Sequence, residues 1–178
     1  TLFKTKFFNK NIDAFIPKMD VLINKTDIII PKTSLNIFNA NGFIEAKIKN
    51  YNSKALAANI LLELIDIEKN KFFTLNNKNV KLILDAQVAQ NKLRISNGLL
   101  KDNVKELAKV NGNILNIYSK PEFDNLRILI LDKIGILIPK SNNLKFNMQG
   151  NIILSGLINT PKLNGNLIID DLKYSACI

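Results

Sequence analysis

The sequence predicts an all-β fold built from consecutive antiparallel strands, and three observations support it. Apolar residues recur at every second position in several segments, as a half-buried strand requires. Asn, Gly, Pro and Lys separate these segments at near-regular intervals, which favours a meander of antiparallel pairs. In addition, 47% of the 178 residues are hydrophobic and the charges are scattered, so the chain is expected to fold.

Two segments show the alternation most clearly. In 42–49, Ile44, Ala46 and Ile48 share one face, while Glu45 and Lys47 share the other. In 79–89 the positions expected to face inward are Val80, Leu82, Leu84, Ala86 and Val88. Both segments are therefore predicted to be strands with one buried face.

Ten further apolar runs are bounded by turn residues and are also predicted to be strands. They cover 2–8, 21–30, 35–38, 71–75, 93–95, 114–118, 126–131, 144–148, 152–158 and 163–172. In the last of these runs, Leu163, Leu167 and Ile169 are expected to face inward.

Two segments leave the type of secondary structure open. Residues 53–69 are rich in Ala, Leu, Glu and Lys, and Ser53 is a suitable N-cap, so local propensity favours a helix. Strands are predicted on both sides of this segment, which favours a strand. The segment 102–109 is either a short helix capped by Asp102 or a loop. The fold therefore has room for one or two short helices.

An internal repeat is visible in the C-terminal half of the chain. The units cover about 112–131 and 150–174, and each runs Gly-Asn-Ile, an apolar strand, a proline and a second apolar strand. The prolines are Pro121 and Pro161, and each is expected to separate two strands because it lacks an N–H donor. The chain starts at Thr1 and ends in an apolar run, so residues 1–178 are expected to form a single β-rich segment of a longer protein.

The composition excludes most catalytic chemistry. There is no His, which removes Ser-His-Asp and Cys-His nucleophile systems and most catalytic zinc sites. The single cysteine, Cys177, provides no CxxC pair. Asp170 and Asp171 are adjacent in a predicted strand, so they are expected to point to opposite faces. We therefore expect no enzymatic activity, no catalytic residue, no metal site and no cofactor.

The net charge of +10 raises the question of a nucleic-acid partner. The lysines are spread along the whole chain, and only Arg94 and Arg127 could make bidentate contacts with phosphates. The chain also contains 27 Asn, 27 Ile and 23 Lys, three residue types with A/T-rich codons, so genomic base composition explains the charge more simply than a binding site does. Nucleic acid is not an expected partner.

The stretch 150–174 resembles the repeating unit of the AsmA-like and TamB-like bacterial envelope proteins. In that superfamily a strand ends in a small residue and Gly, and a few residues later Pro-x-Leu-x-Gly begins a further amphipathic strand. The matching positions here are Ser155, Gly156, Pro161, Leu163, Gly165 and Leu167. The unit starting at Gly112 matches more loosely, since it has Phe123 and Asn125 where the fuller copy has Leu163 and Gly165.

The resemblance implies a long, curved antiparallel sheet that rolls up without closing, with an apolar groove inside and a polar surface outside. It implies phospholipid as ligand and a role in moving phospholipid from the inner to the outer membrane, or in outer-membrane assembly. It further implies a periplasmic segment, an inner-membrane anchor outside this segment, and admits an outer-membrane protein as partner. The groove candidates are Ile44, Ala46, Ile48, Val80, Leu82, Leu84, Ala86, Val88, Leu163, Leu167 and Ile169.

The same alternation is equally typical of an ordinary sandwich or barrel, because periodicity does not distinguish a groove from a closed core. The alternative function is therefore a structural or adhesive β-repeat protein with a closed, dry core.

Overall fold

A computed structural model describes residues 2–7, 10–37, 40–51, 53, 56–65, 67, 74–138 and 144–174 of the chain. The single cysteine, Cys177, lies outside the described residues. Parts of three predicted strands, namely Phe8, Phe38 and residues 71–73, lie outside them as well. Within the described part every regular element is a strand.

Thirteen strands are described, most of them 9 to 17 residues long. They are β1 (Leu2–Phe7), β2 (Lys10–Phe15), β3 (Leu22–Ile23), β4 (Asp27–Ile37), β5 (Ala40–Lys49), β6 (Ala57–Ile65), β7 (Thr74–Leu75), β8 (Lys81–Ala89), β9 (Lys92–Lys101), β10 (Glu106–Leu115), β11 (Glu122–Ile138), β12 (Leu144–Leu157) and β13 (Lys162–Lys173).

The strands form one antiparallel sheet whose order is β1-β2-β4-β5-β6-β8-β9-β10-β11-β12-β13. The short strands β3 and β7 lie off this path, where β3 pairs with β4 and β7 pairs with β11. Because β1 and β13 are at opposite ends of the path, the sheet does not close into a barrel. The predicted all-β, antiparallel and open architecture is confirmed.

The register places the apolar positions of neighbouring strands opposite one another, and directly opposite residues of an antiparallel pair lie on the same face. One such row crosses eight strands. It consists of Gly42, Leu64, Leu82, Leu100, Ala108, Ile130, Gly150 and Leu167. We call this side of the sheet the apolar face. The other side carries most of the charged residues, among them Glu45 and Lys47.

The described part of the segment 53–69 forms a strand and not a helix. β6 pairs with β5 along one edge and with β8 along the other, over nine residues in each case. These two ladders satisfy its backbone groups and outweigh the helix propensity of its Ala, Leu and Glu residues.

The segment 102–109 forms a turn followed by the start of β10. The Asp102 carboxylate accepts hydrogen bonds from the backbone N–H groups of Val104 and Lys105, at 2.8 and 2.9 Å. Asp102 thus caps a turn between β9 and β10 and not a helix. β10 begins directly after this turn, at Glu106.

The two units of the internal repeat form the hairpins β10–β11 and β12–β13. Gly112 and Gly150 adopt φ angles of 137° and 141°, in a region that favours glycine. Each glycine also packs closely on the partner strand, Gly112 against Leu126 and Gly150 against Leu167. A side chain at either position would meet backbone atoms of the second strand of its own hairpin.

The strand β11 is much longer than the predicted run 126–131. Asp132 and Lys133 interrupt the apolar pattern but not the strand, because the register with β12 shifts between Ile130 and Ile134 and absorbs them. β12 pairs with β11 as far as Ile138 along one edge. The other edge is shared, so that β10 pairs with the first half of β11 and β7 with Ile136 and Leu137.

Two clusters of buried residues lie along the sheet. The N-terminal core consists of Leu35, Ala40 and Leu64 on β4, β5 and β6. The C-terminal core consists of Leu75, Val80, Leu107, Ala108, Ile130 and Ile134.

Candidate functional site

An apolar groove lies on the apolar face between β8 and β12. Its volume is about 450 Å³, and all thirteen side chains that line it are apolar. They are Ile67, Leu75, Leu82, Leu100, Ala108, Val110, Ile128, Ile130, Ile134, Ile136, Ile138, Phe146 and Met148. Because the described lining has no hydrogen-bonding or ionisable side chain, only an apolar group fits it without losing hydrogen bonds.

The floor of the groove consists of cross-strand neighbours. Leu82, Leu100 and Ala108 belong to the row described above, and Val110 lies opposite Ile128 on the next pair of strands. Four strand spacings of about 4.8 Å separate β8 from β12, so the groove extends about 19 Å across the strands. Most of these side chains are only half-buried, so they remain accessible from the groove.

The far half of β11 and the connection between β6 and β8 add a wall to this floor. Ile134, Ile136 and Ile138 extend the apolar side of β11 beyond the end of β10. Leu75 lies opposite Ile136 in the β7–β11 pair. The Asn77 side chain donates a hydrogen bond to the Asp102 carboxylate at 3.2 Å, which ties the connection to the β9–β10 turn.

One end of the groove is closed by packed side chains. Ile67 lines the groove and packs against both the N-terminal and the C-terminal core, and Leu82 lines the groove and packs against the N-terminal core. No described residue of β4, β5 or β6 lines the groove. The described lining therefore extends from β8 to β12, and the N-terminal core lies next to its β8 end.

All eleven groove candidates from the sequence lie on the apolar face. Ile44 is opposite Leu62, and Leu62 is opposite Leu84, so β5, β6 and β8 present one continuous surface. Of the eleven, however, only Leu82 lines the groove. Val80 is fully buried in the C-terminal core. The structure places the remaining candidates as follows: Ile44, Ala46 and Ile48 on β5, Leu84, Ala86 and Val88 on β8, and Leu163, Leu167 and Ile169 on β13.

The three candidates on β13 are more exposed than the others. Leu163, Leu167 and Ile169 are 69%, 41% and 55% exposed, because β13 has a neighbour on one edge only. They face the same side as Leu154, Gly150 and Met148 of β12. The apolar face thus continues past the groove to the edge of the described sheet.

Twelve of the thirteen lining residues are not among the groove candidates predicted from the sequence. Ten of them lie on β9 to β12, and most of these, such as Leu100 and Ile128, alternate with polar or outward residues, so period two could have identified them. Ile67 and Leu75 carried no such signal, because they reach the groove through a connection whose path depends on pairing with a distant strand.

Ion pairs lie close to the register shift of β11. The Lys105 ammonium contacts Asp132, and Lys133 Nζ lies 2.6 Å from Asp170 Oδ2. The hydrogen bond from Lys105 lowers the pKa of Asp132, and the hydrogen bond from Lys133 lowers the pKa of Asp170. Both lysine pKa values are raised by these carboxylates. The cluster therefore stays charged at neutral pH.

Asp170 and Asp171 do not behave as simple neighbours on a strand. Asp171 has a φ of 51°, and the register between β12 and β13 shifts at this point. The Asn147 side chain donates a hydrogen bond to Asp171 Oδ2 at 2.6 Å and also approaches Asp170. The expectation that the two carboxylates point to opposite faces is wrong, because the bulge turns both towards Asn147.

Among the described residues, no group of three or more Cys, Asp or Glu side chains is arranged to hold a metal ion. A search of the same residues found no helix with the length and apolar content needed to cross a membrane.

Comparison with known proteins adds no relative, since no protein-family model, curated protein or solved structure matches the chain.

Proposed function

We propose that this protein binds the acyl chains of phospholipid in the apolar groove and shields them from water. The observation that carries the proposal is the lining, in which thirteen apolar side chains surround about 450 Å³ and none of the described lining residues has a hydrogen-bonding side chain. This volume lies within the range of small-molecule sites. Groups of pure hydrocarbon are the ligands that such a surface favours.

The energetic benefit is large enough to support lipid transfer. Each methylene group removed from water contributes about 0.8 kcal/mol, so shielding about a dozen of them contributes on the order of 10 kcal/mol. The interaction is non-directional, so the chain could slide along the surface as well as rest on it. The apolar face continues past the groove on the β13 side, which suits such movement.

In the setting that the AsmA-like and TamB-like resemblance implies, the protein is a non-enzymatic component of a bacterial cell envelope. The segment lies in the periplasm, the anchor is in the inner membrane, and phospholipid passes towards the outer membrane. Support for outer-membrane assembly, with an outer-membrane protein as partner, belongs to the same proposal.

Two adjacent leucines on β9 allow a matched test. Leu100 lines the groove, whereas Leu99 is on the opposite face of the same strand, and both are half-buried. A phospholipid with a photoreactive acyl chain should label the wild-type protein in the groove. Leu100→Lys should abolish labelling, and Leu99→Lys should retain it, with circular dichroism to verify that both variants fold.

Recovery of no phospholipid by extraction and mass spectrometry, together with no labelling of the wild type, would contradict the proposal. Equal loss of labelling in the two lysine variants would contradict the location of the site.

The N-terminal core supports a second candidate. Leu35, Ala40 and Leu64 are buried against one another on β4, β5 and β6. A structural or adhesive β-repeat protein would need only such packing. In that case the groove would stay free of lipid, and the labelling experiment above would separate the two functions.

A further inference from the structure

The groove has one closed end, and the residue that closes it is not part of the sheet. Ile67 belongs to the connection between β6 and β8, and its backbone N–H donates a hydrogen bond to the carbonyl oxygen of Val80 at 3.2 Å. This bond holds Ile67 beside the start of β8. Its side chain packs against both buried cores and also lines the groove.

Beyond Ile67 the groove meets buried side chains. The N-terminal core begins there, and Leu64, which lies opposite Leu82, is only 5% exposed. Leu82 forms the floor at this end, and Ile67 stands next to it. A hydrocarbon chain lying along the groove from β12 towards β8 would therefore meet Ile67 with its last carbon atoms.

The other end of the groove differs. Phe146 and Met148 of β12 are half-buried, and Ile169, opposite Met148, is 55% exposed. A polar headgroup can remain in water at this end, whereas at the Ile67 end it would be buried without hydrogen bonds. The two ends thus impose a direction on a bound lipid.

We propose that Ile67 determines the length of acyl chain that the groove accepts. The terminal methyl group lies against Ile67, and the headgroup lies towards β12 and β13. This inference rests on the proposed function, because it assumes that the groove binds an acyl chain. Beyond the proposed function, it names a residue that determines specificity. It also describes the binding site as a groove with one closed end, and not as an apolar path that is uniform along the sheet.

The physical consequence is a limit in the dependence of affinity on chain length. Each methylene group that enters the groove should strengthen binding by about fourfold, until the chain reaches Ile67. Further methylene groups then remain in water and add nothing. Ile67→Ala removes three carbon atoms from the closed end, so the limit should move to chains that are longer by about two to three carbons.

The test is a titration of the purified protein with saturated fatty acids whose chains lengthen by one carbon at a time, below their micelle concentrations, by isothermal titration calorimetry. In the wild type the dissociation constant should fall with length and then level off. Ile67→Ala should level off at a longer chain, and Ile67→Phe at a shorter one. Ile67→Val is the mildest change and should move the limit to chains longer by about one carbon. This variant replaces Ile67→Ala in the test if the alanine variant does not fold.

The control variant is Ile37→Ala. Ile37 packs against the same N-terminal core as Ile67 but does not line the groove, so this variant should keep the wild-type limit. If it moved the limit as far as Ile67→Ala does, the role assigned to Ile67 would be overturned. The same conclusion would follow if the wild type and all Ile67 variants shared one limit. Failure of the wild type to bind any fatty acid would instead overturn the proposed function.

Discussion

The backbone N–H of Asn76 donates a hydrogen bond to the carbonyl oxygen of Gly135, with 2.9 Å between nitrogen and oxygen. Gly135 is buried at this contact, and a side chain there would overlap the side chain of Asn76. The contact holds β7 next to β11 and so keeps Leu75 in the wall of the groove.

We therefore expect Gly135→Ala to push Asn76 away and to lower the free energy of unfolding by about 1–3 kcal/mol. Urea denaturation measures this change, and hydrogen exchange of the Asn76 amide reports the contact itself. The double variant Gly135→Ala/Asn76→Ala should recover part of the loss, because it removes most of the overlapping side chain. If the loss of stability in the double variant equals the sum of the losses in the two single variants, the overlap is contradicted.

The exposure of the apolar face predicts unequal effects of the same substitution along the sheet. Ile130 is 4% exposed in the C-terminal core, and Ile169 on β13 is 55% exposed. Ile130→Ala should lower the free energy of unfolding by about 2–5 kcal/mol, since it leaves a cavity. Ile169→Ala should lower it by less than about 1 kcal/mol. Chemical denaturation of both variants tests the difference, and similar losses would show that β13 is covered in solution.

The two glycines of the second hairpin differ in the atoms that an added Cβ would meet. Gly150 and Gly156 both have positive φ angles, 141° and 77°. A Cβ at Gly150 would overlap the Asn166 carbonyl oxygen on β13, whereas a Cβ at Gly156 would have only Lys162 near it, at 4.0 Å. Gly156→Ala should therefore cost about 1–2 kcal/mol from backbone strain alone. Gly150→Ala should cost more, as measured by thermal unfolding, and equal costs would mean that the hairpin adjusts to the added methyl group.

The ion pair between Lys105 and Asp132 predicts a loss of stability in acid. The pKa of Asp132 is lower in the folded protein than its ordinary value of 3.8, chiefly through the hydrogen bond from Lys105. Its contribution is therefore present in full above that value and is lost as the pH falls through the lower folded-state pKa.

Thermal unfolding at low salt should accordingly show a falling melting temperature below about pH 4. The fall should be shallower in Asp132→Asn, which has no carboxylate to protonate at this site. The slope does not vanish in that variant, because Asp102 and Asp170 also have lowered pKa values. Identical slopes in the two proteins would contradict a role for this pair.

The faces of the strands could be predicted from the sequence because period two is a local property. Leu82, Leu84 and Ala86 alternate with Lys81 and Asp85, and the sheet places them on one side as predicted. The strand in 53–69 was harder, since its residues favour a helix locally and only the ladders to β5 and β8 override this preference.

The groove itself could not be predicted, because it depends on contacts between distant parts of the chain. Asp132 and Lys133 made β11 look shorter than it is, which hid Ile134 and Ile136 from the apolar pattern. A register shift and ion pairs to other strands accommodate the two charges. Residues 74–75 gave no indication that they pair with β11 and not with their neighbours in sequence.

The pairing of β7 with β11 also has a consequence for the order of folding. All neighbours along the main path from β8 to β13 are joined by short connections, so those hairpins can form locally and quickly. Leu75 and Ile136 are far apart in sequence, so their contact costs least in loop entropy once β8, β9, β10 and the first half of β11 have formed. The wall of the groove is therefore expected to form late in folding and to open early in partial unfolding, so an acyl chain bound against that wall would slow the first step of denaturation.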